Sequence, residues 1–145
     1  MRIAAGCLVL AWLAALSCYD IRERRLPNAL TLTGAAAILA VAGVAGRGWS
    51  ALAGAAALTG IYLLVHWVAP SGMGAGDVKL AIGVGALTGC CGAGVWFLAA
   101  FGAPLLTVLV GMVARIRGGA RGGRTVPHGP SMCLASAAGI GLALL

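Results

Sequence analysis

Acidic residues are almost absent from this chain of 145 residues: Asp20, Glu23 and Asp77 are the whole supply. Charged residues of either sign make up 9%, against roughly 25% in soluble domains. With 61% hydrophobic residues and a mean hydropathy of +1.04, that scarcity excludes a water-soluble core and leaves an integral membrane protein. Cysteine has no useful pattern. Positions 7, 18, 90, 91 and 133 form no C-x-x-C and no Cys/His cluster with zinc spacing, so no metal site and no cofactor is expected from them. They read as buried free thiols. The charge order of a cleaved signal peptide is also missing. Arg2 alone precedes the first apolar run, whereas Arg22, Arg24 and Arg25 follow it, so residues 3–19 read as a retained helix.

What is abundant is glycine, with 24 residues, and alanine, as suits helices that pack closely in a bilayer. A membrane span takes roughly 17–25 residues. On that length the chain reads as an all-α polytopic membrane protein with about six transmembrane helices in one domain, 1–145. The spans fall near 3–19, 29–46, 51–69, 78–90, 92–114 and 129–145. Thr88-Gly89-Cys90-Cys91-Gly92 is the expected turn between the fourth and fifth.

The net charge of +7 points to lipid rather than nucleic acid, because the cations sit in short loops between apolar runs. Loops 20–28, 70–77 with Lys79, and 115–128 carry eight of the ten basic residues, leaving Arg2 and Arg47 for the other side. The positive-inside rule makes the richer side cytoplasmic and both termini extracytoplasmic. Two crossings separate Asp20 from Asp77, so both return to the cytoplasmic surface, with Glu23 on the same side.

A carboxylate at a helix centre costs about 2.5–3.5 kcal/mol on insertion scales, less near the interface, so its presence in such a chain points to function. Three glycines, at 72, 74 and 76, precede Asp77. They admit backbone conformations closed to other residues and leave room for an extended substrate. Asp77 then opens a helix, where the dipole favours an anion. Two neighbouring carboxylates cannot both ionise cheaply, so the pair would share one proton. One member activates water while the other polarises a carbonyl. Proton or cation transport through the same two acids is the alternative from another functional class.

Three stretches carry a resemblance. They are Asp20-Ile21-Arg22-Glu23-Arg24-Arg25-Leu26-Pro27-Asn28, Gly72-Met73-Gly74-Ala75-Gly76-Asp77-Val78-Lys79-Leu80 and Val126-Pro127-His128-Gly129-Pro130. In order and spacing they resemble the type IV prepilin peptidase family, the GxGD-type membrane aspartic peptidases. The second stretch is close to the family's G-M-G-x-G-D-x-K. The third is similar to its Pro-Phe-Gly-Pro, with His128 in place of the aromatic. The resemblance implies an endopeptidase that cuts the short basic leader from a pilin-like precursor at the cytoplasmic membrane surface, with Asp20 and Asp77 as catalytic residues. It implies supporting or substrate-binding roles for Gly72, Gly74, Gly76, Lys79, Pro27, Asn28, Pro127, Gly129 and Pro130. Without the cysteine-bearing cytoplasmic domain of larger members, methyl transfer is not expected. The expected partners are the precursor and the lipids of the inner membrane; the oligomeric state is left open.

The neighbouring residues divide by geometry. Lys79 stands at i+2 from Asp77 and does not share its helix face, so it is expected to meet substrate, the opposing loop or the interface. Pro27 and Asn28 are expected to start the second helix, Asn28 as a cap. Pro127 and Pro130 shape the start of the last. Tyr19 reads as an interface aromatic, His128 as a loop histidine, and His66 receives no role.

Overall fold

The computed structural model describes residues 2–71, 73–118 and 128–144. Among them it contains six helices and no strand: α1 (Arg2–Glu23), α2 (Asn28–Val44), α3 (Gly48–Val68), α4 (Ala75–Cys91), α5 (Ala93–Gly118) and α6 (Gly129–Leu144). The all-α expectation holds. Three helical stretches are by themselves long and apolar enough to cross a membrane: Ala4–Glu23, Gly48–Val68 and Ala93–Arg117. The α2 and α6 helices are apolar but shorter.

The core is inside-out relative to a soluble protein. Large side chains such as Leu8, Trp49, Trp67, Phe101, Val108 and Ile116 face outward, whereas alanines 51, 81, 86 and 103 are buried. An apolar exterior of this extent needs lipid against it, and small residues inside let the helix backbones approach. The protein is a membrane protein.

The α4 helix is the central pillar, packed against α2, α3, α5 and α6. Its burial runs almost all the way round, from Asp77 through Leu80, Ala81, Gly83, Val84, Gly85, Ala86, Leu87 and Thr88. The closest approach is to α3. A Cβ on Gly85 would lie 2.5 Å from the Gly54 carbonyl oxygen, and one on Gly89 would lie 2.7 Å from the Ser50 carbonyl oxygen. The indole of Trp12 wedges α1 between Gly34 of α2 and Gly83 of α4, and its Nε1–H donates to the Leu30 carbonyl at 3.0 Å. Trp96 of α5 donates likewise to the Gly54 carbonyl at 3.0 Å. The seams are thus glycine notches, each filled by a backbone or an indole.

Two boundaries differ from expectation. The first helix does not stop before Asp20 but runs to Glu23, so Asp20 lies within its last turns. Arg24 ends it in the left-handed region at φ 49°, with its N–H donating to the Asp20 carbonyl at 3.0 Å. Such a residue is usually glycine. Residues 88–91 are not a turn either: α4 continues through them, and Gly92 alone reverses the chain at φ +120°. One residue suffices there because that conformation is open to glycine and not to others.

The α3–α4 contact predicts a contrast. Gly85→Ala should lower stability by about 1–3 kcal/mol through overpacking. Gly60→Ala, whose added Cβ meets nothing within 4 Å, should be neutral or mildly stabilising. Thermal unfolding of both variants in detergent checks this.

Candidate active site

The helices bring the polar residues to one pole. Asp20 comes from the C-terminal end of α1, Asp77 from the first turn of α4, and His128 immediately precedes α6. All three line one open cavity of about 450 Å³. Arg24, Arg25 and Leu26 from the α1–α2 connection form one wall, and Pro70, Ser71 and Met73 through Gly76 form another. Arg47 lies at the opposite pole, where its guanidinium donates to the Cys90 carbonyl at 3.0 Å.

Asp20 and Asp77 are each only 9% exposed, and both line the same cavity. Asp20 is held by backbone. The Gly129 N–H donates to Asp20 Oδ2 at 3.1 Å. Gly129 is the first residue of α6, so its N–H has no partner within the helix and is free to serve a carboxylate. A Cβ there would lie 2.5 Å from Asp20 Oδ2, so a larger residue would push the carboxylate out of this position. Asp77 stands three residues after Gly74, the residue that caps α4, and its carboxylate turns back toward the Gly74 backbone N–H. An acid at the third helical position stands where the returning half of a capping box would place it, with no cap side chain to complete the pair.

Gly74 and Gly76, before Asp77, do not adopt the left-handed torsions that only glycine takes readily. Gly74 is extended at φ −72°, and the left-handed glycines among the described residues are Gly46 and Gly92. A Cβ on Gly76 would touch Leu26 at 3.4 Å, and one on Gly74 would lie 3.7 Å from Asp77 Oδ2, at the cavity wall. Gly72 and Pro127 lie outside the described residues.

Lys79 joins the first two stretches, donating from Nζ to Asn28 Oδ1 at 2.9 Å. That bond occupies the Asn28 side chain, which does not cap α2; Pro27 holds the cap position, and its carbonyl accepts the N–H groups of Leu30 and Thr31. Pro130 is the second residue of α6, within the first turn, where a missing N–H costs nothing. Tyr19 is exposed on α1 and does not line the cavity.

Four polar contacts around the site were not foreseen from sequence. His66 Nδ1 meets the Met73 carbonyl at 2.7 Å, tying α3 to the glycine-rich segment. A carbonyl can only accept, so this nitrogen carries the proton. Tyr62 Oη bonds His128 Nε2 at 3.0 Å, and Thr107 Oγ1 bonds His128 Nδ1 at 2.7 Å. Thr107 in turn donates to the Ala103 carbonyl at 3.0 Å. Burial holds the His128 imidazole below its usual pKa and favours the neutral ring. A faint sequence signal existed: Tyr62 and His66 stand at i and i+4 in an otherwise apolar helix, hence on one face.

The Lys79–Asn28 contact predicts a coupling. In a double-mutant cycle of Lys79→Met and Asn28→Ala, read by thermal unfolding in detergent, the two losses should fall short of additivity by about 1 kcal/mol. Full additivity would mean that the bond does not hold the loops.

A search of curated proteins and a search of solved structures each return no match. The model of one family, described as the type IV leader peptidase family, matches residues 7–115. That stretch holds Asp20, Asp77 and the Lys79–Asn28 bridge but ends before Gly129, so the third stretch joins the site through the fold. Because the match spans well over half of the sequence and contains both buried aspartates, the chain belongs to the type IV leader peptidase family.

Proposed function

We propose that this protein is an aspartic endopeptidase that removes the short basic leader of pilin-like precursors at the cytoplasmic membrane surface, with Asp20 and Asp77 as its catalytic pair. The observation that carries the reading is that two lone aspartates, from helices far apart in sequence, open into one cavity at the cation-rich pole. Family membership supports a peptidase over ion-coupled transport.

The reaction follows from the pair. Two neighbouring carboxyls, both largely removed from water, hold one proton between them more readily than none or two. The ionised member takes a proton from water as that water attacks the scissile carbonyl. The protonated member donates to the carbonyl oxygen as negative charge develops there. Collapse of the tetrahedral species breaks the C–N bond: the carboxyl that took the water's proton gives it to the leaving amine, and the carboxylate that had protonated the oxygen takes a hydroxyl proton back, which restores the singly protonated pair. The Gly129 N–H keeps Asp20 oriented throughout, and the Gly74–Gly76 wall leaves room for an extended substrate backbone.

Orientation in the membrane follows from charge. Arg22, Arg24, Arg25, Lys79, Arg115 and Arg117 belong to the cavity pole, and Arg47 lies at the other. The positive-inside rule turns the cavity toward the cytoplasm and the termini outward. The precursor's apolar stem would stay in the bilayer while its leader enters the cavity. The cations there disfavour a basic leader, so in this reading they hold lipid headgroups and fix depth. Methyl transfer is not part of the proposal.

Co-expression with a pilin-like precursor tests it. The wild-type chain should shorten the precursor, and Asp20→Asn and Asp77→Asn should each abolish shortening while still inserting in the membrane. Processing that survives either substitution removes the mechanism. With purified enzyme, kcat/KM should be bell-shaped in pH, falling on the acid side as both carboxyls become protonated and on the alkaline side as both ionise.

A further inference from the structure

His128 stands where three helices meet at the cavity, and both of its ring nitrogens are engaged. The hydrogen-bond directions can be assigned from the acceptors. The Thr107 hydroxyl has one proton and gives it to the Ala103 carbonyl at 3.0 Å, so toward His128 it accepts. Nδ1 therefore carries the imidazole proton, and Nε2 offers its lone pair to the Tyr62 hydroxyl at 3.0 Å. The Tyr62 and His128 rings also pack together, with centroids 5.6 Å apart. A neutral ring with both nitrogens satisfied has no free site through which to pass protons to either aspartate.

The backbone of His128 explains what that anchoring achieves. Its carbonyl accepts the Met132 N–H at 3.1 Å and so forms the cap of α6. The next N–H in the chain is that of Gly129, which holds Asp20. Fixing the ring between α3 and α5 fixes the plane of the His128–Gly129 peptide, and with it the direction of the N–H that meets the carboxylate.

We propose that His128 is a positioning residue: held by Tyr62 on α3 and Thr107 on α5, it sets the first turn of α6 so that the Gly129 amide orients Asp20 for reaction. This rests on the leader-peptidase reading for its kinetic consequence but not for its geometry. Where the resembled family carries an aromatic ring, this chain sets Tyr62 and Thr107 around an imidazole, so a phenyl ring at residue 128 would keep the volume and lose both bonds.

Two measurements test this. In kinetics on a pilin-like precursor, His128→Phe should lower kcat by about ten- to hundredfold, the range expected from misplacing a reacting group, and leave KM within about twofold. His128→Asn, whose amide can still donate to Thr107, should recover part of the loss. The second readout needs no activity. His128–Gly129 is the one His–Gly step in the sequence, so carbonyl-13C histidine with 15N-glycine isolates the Gly129 amide resonance. Asp20→Asn should shift it, which identifies the bond. Tyr62→Phe and Thr107→Val, mild changes that retain the histidine, should each shift it toward an unbonded value. Unchanged kcat in His128→Phe overturns the proposal. So does a Gly129 resonance unmoved in both Tyr62→Phe and Thr107→Val, whatever the kinetics. A wild-type chain that cleaves no precursor refutes the leader-peptidase reading, and the resonance then decides the positioning role by itself.

Discussion

The hydrogen bond from the Gly129 amide to Asp20 joins the start of the last helix to the end of the first. Without such a donor, a carboxylate set inside an apolar bundle at a helix C-terminal end meets the negative end of that helix's dipole. The start of α6 supplies the opposite: a free N–H and the positive end of a dipole. The requirement propagates outward. A Cβ at residue 129 would displace the carboxylate from the amide, and the turn before it must be rigid enough to aim it. The contacts of His128 with α3 and α5 provide that rigidity.

Asp77 is set by a different device. It needs no partner from elsewhere in the chain, because the third position of a helix already faces the uncapped N–H groups. What it needs is for α4 to stand at the centre of the bundle with its first turn at the cavity. The glycine and alanine faces of α4 meet that need: they bring α3 into backbone contact, admit the Trp12 indole on the α2 side, and leave a narrow pillar in place of a broad one. One composition therefore serves packing and site alike. The small residues that permit the α3–α4 contact continue into the small residues that leave the cavity wall open.

Much of the arrangement is legible from residues. Hydropathy and the rarity of charge give a helical membrane protein, and the apolar runs give six segments, each of which is a helix in the structure. Parity of crossings puts the aspartates at one pole, where the cavity unites them. Less legible are the helix ends, because hydropathy marks where lipid begins and not where backbone hydrogen bonding stops. This is why α1 runs on through Asp20 to Glu23, and why the turn expected over 88–92 contracts to Gly92. Asn28 misled for a related reason. The helix starts one residue earlier than a cap at Asn28 requires, with Pro27 in the cap position, and the Asn28 side chain is left to accept from Lys79, 51 residues away in sequence.

Composition, periodicity and the three motif stretches by themselves determined that this chain is an all-helical membrane protein with two acids worth attention, since burial in lipid leaves almost no other reason for a carboxylate. The tertiary structure alone decided how those acids are held. The Gly129–Asp20 bond, the bridge from Lys79 to Asn28, and the Tyr62–His128–Thr107 contacts all join residues on different helices. Local sequence sets which groups can hydrogen-bond. Which of them meet depends on how closely helix backbones approach, and that distance is fixed by glycine notches whose partners lie on other helices.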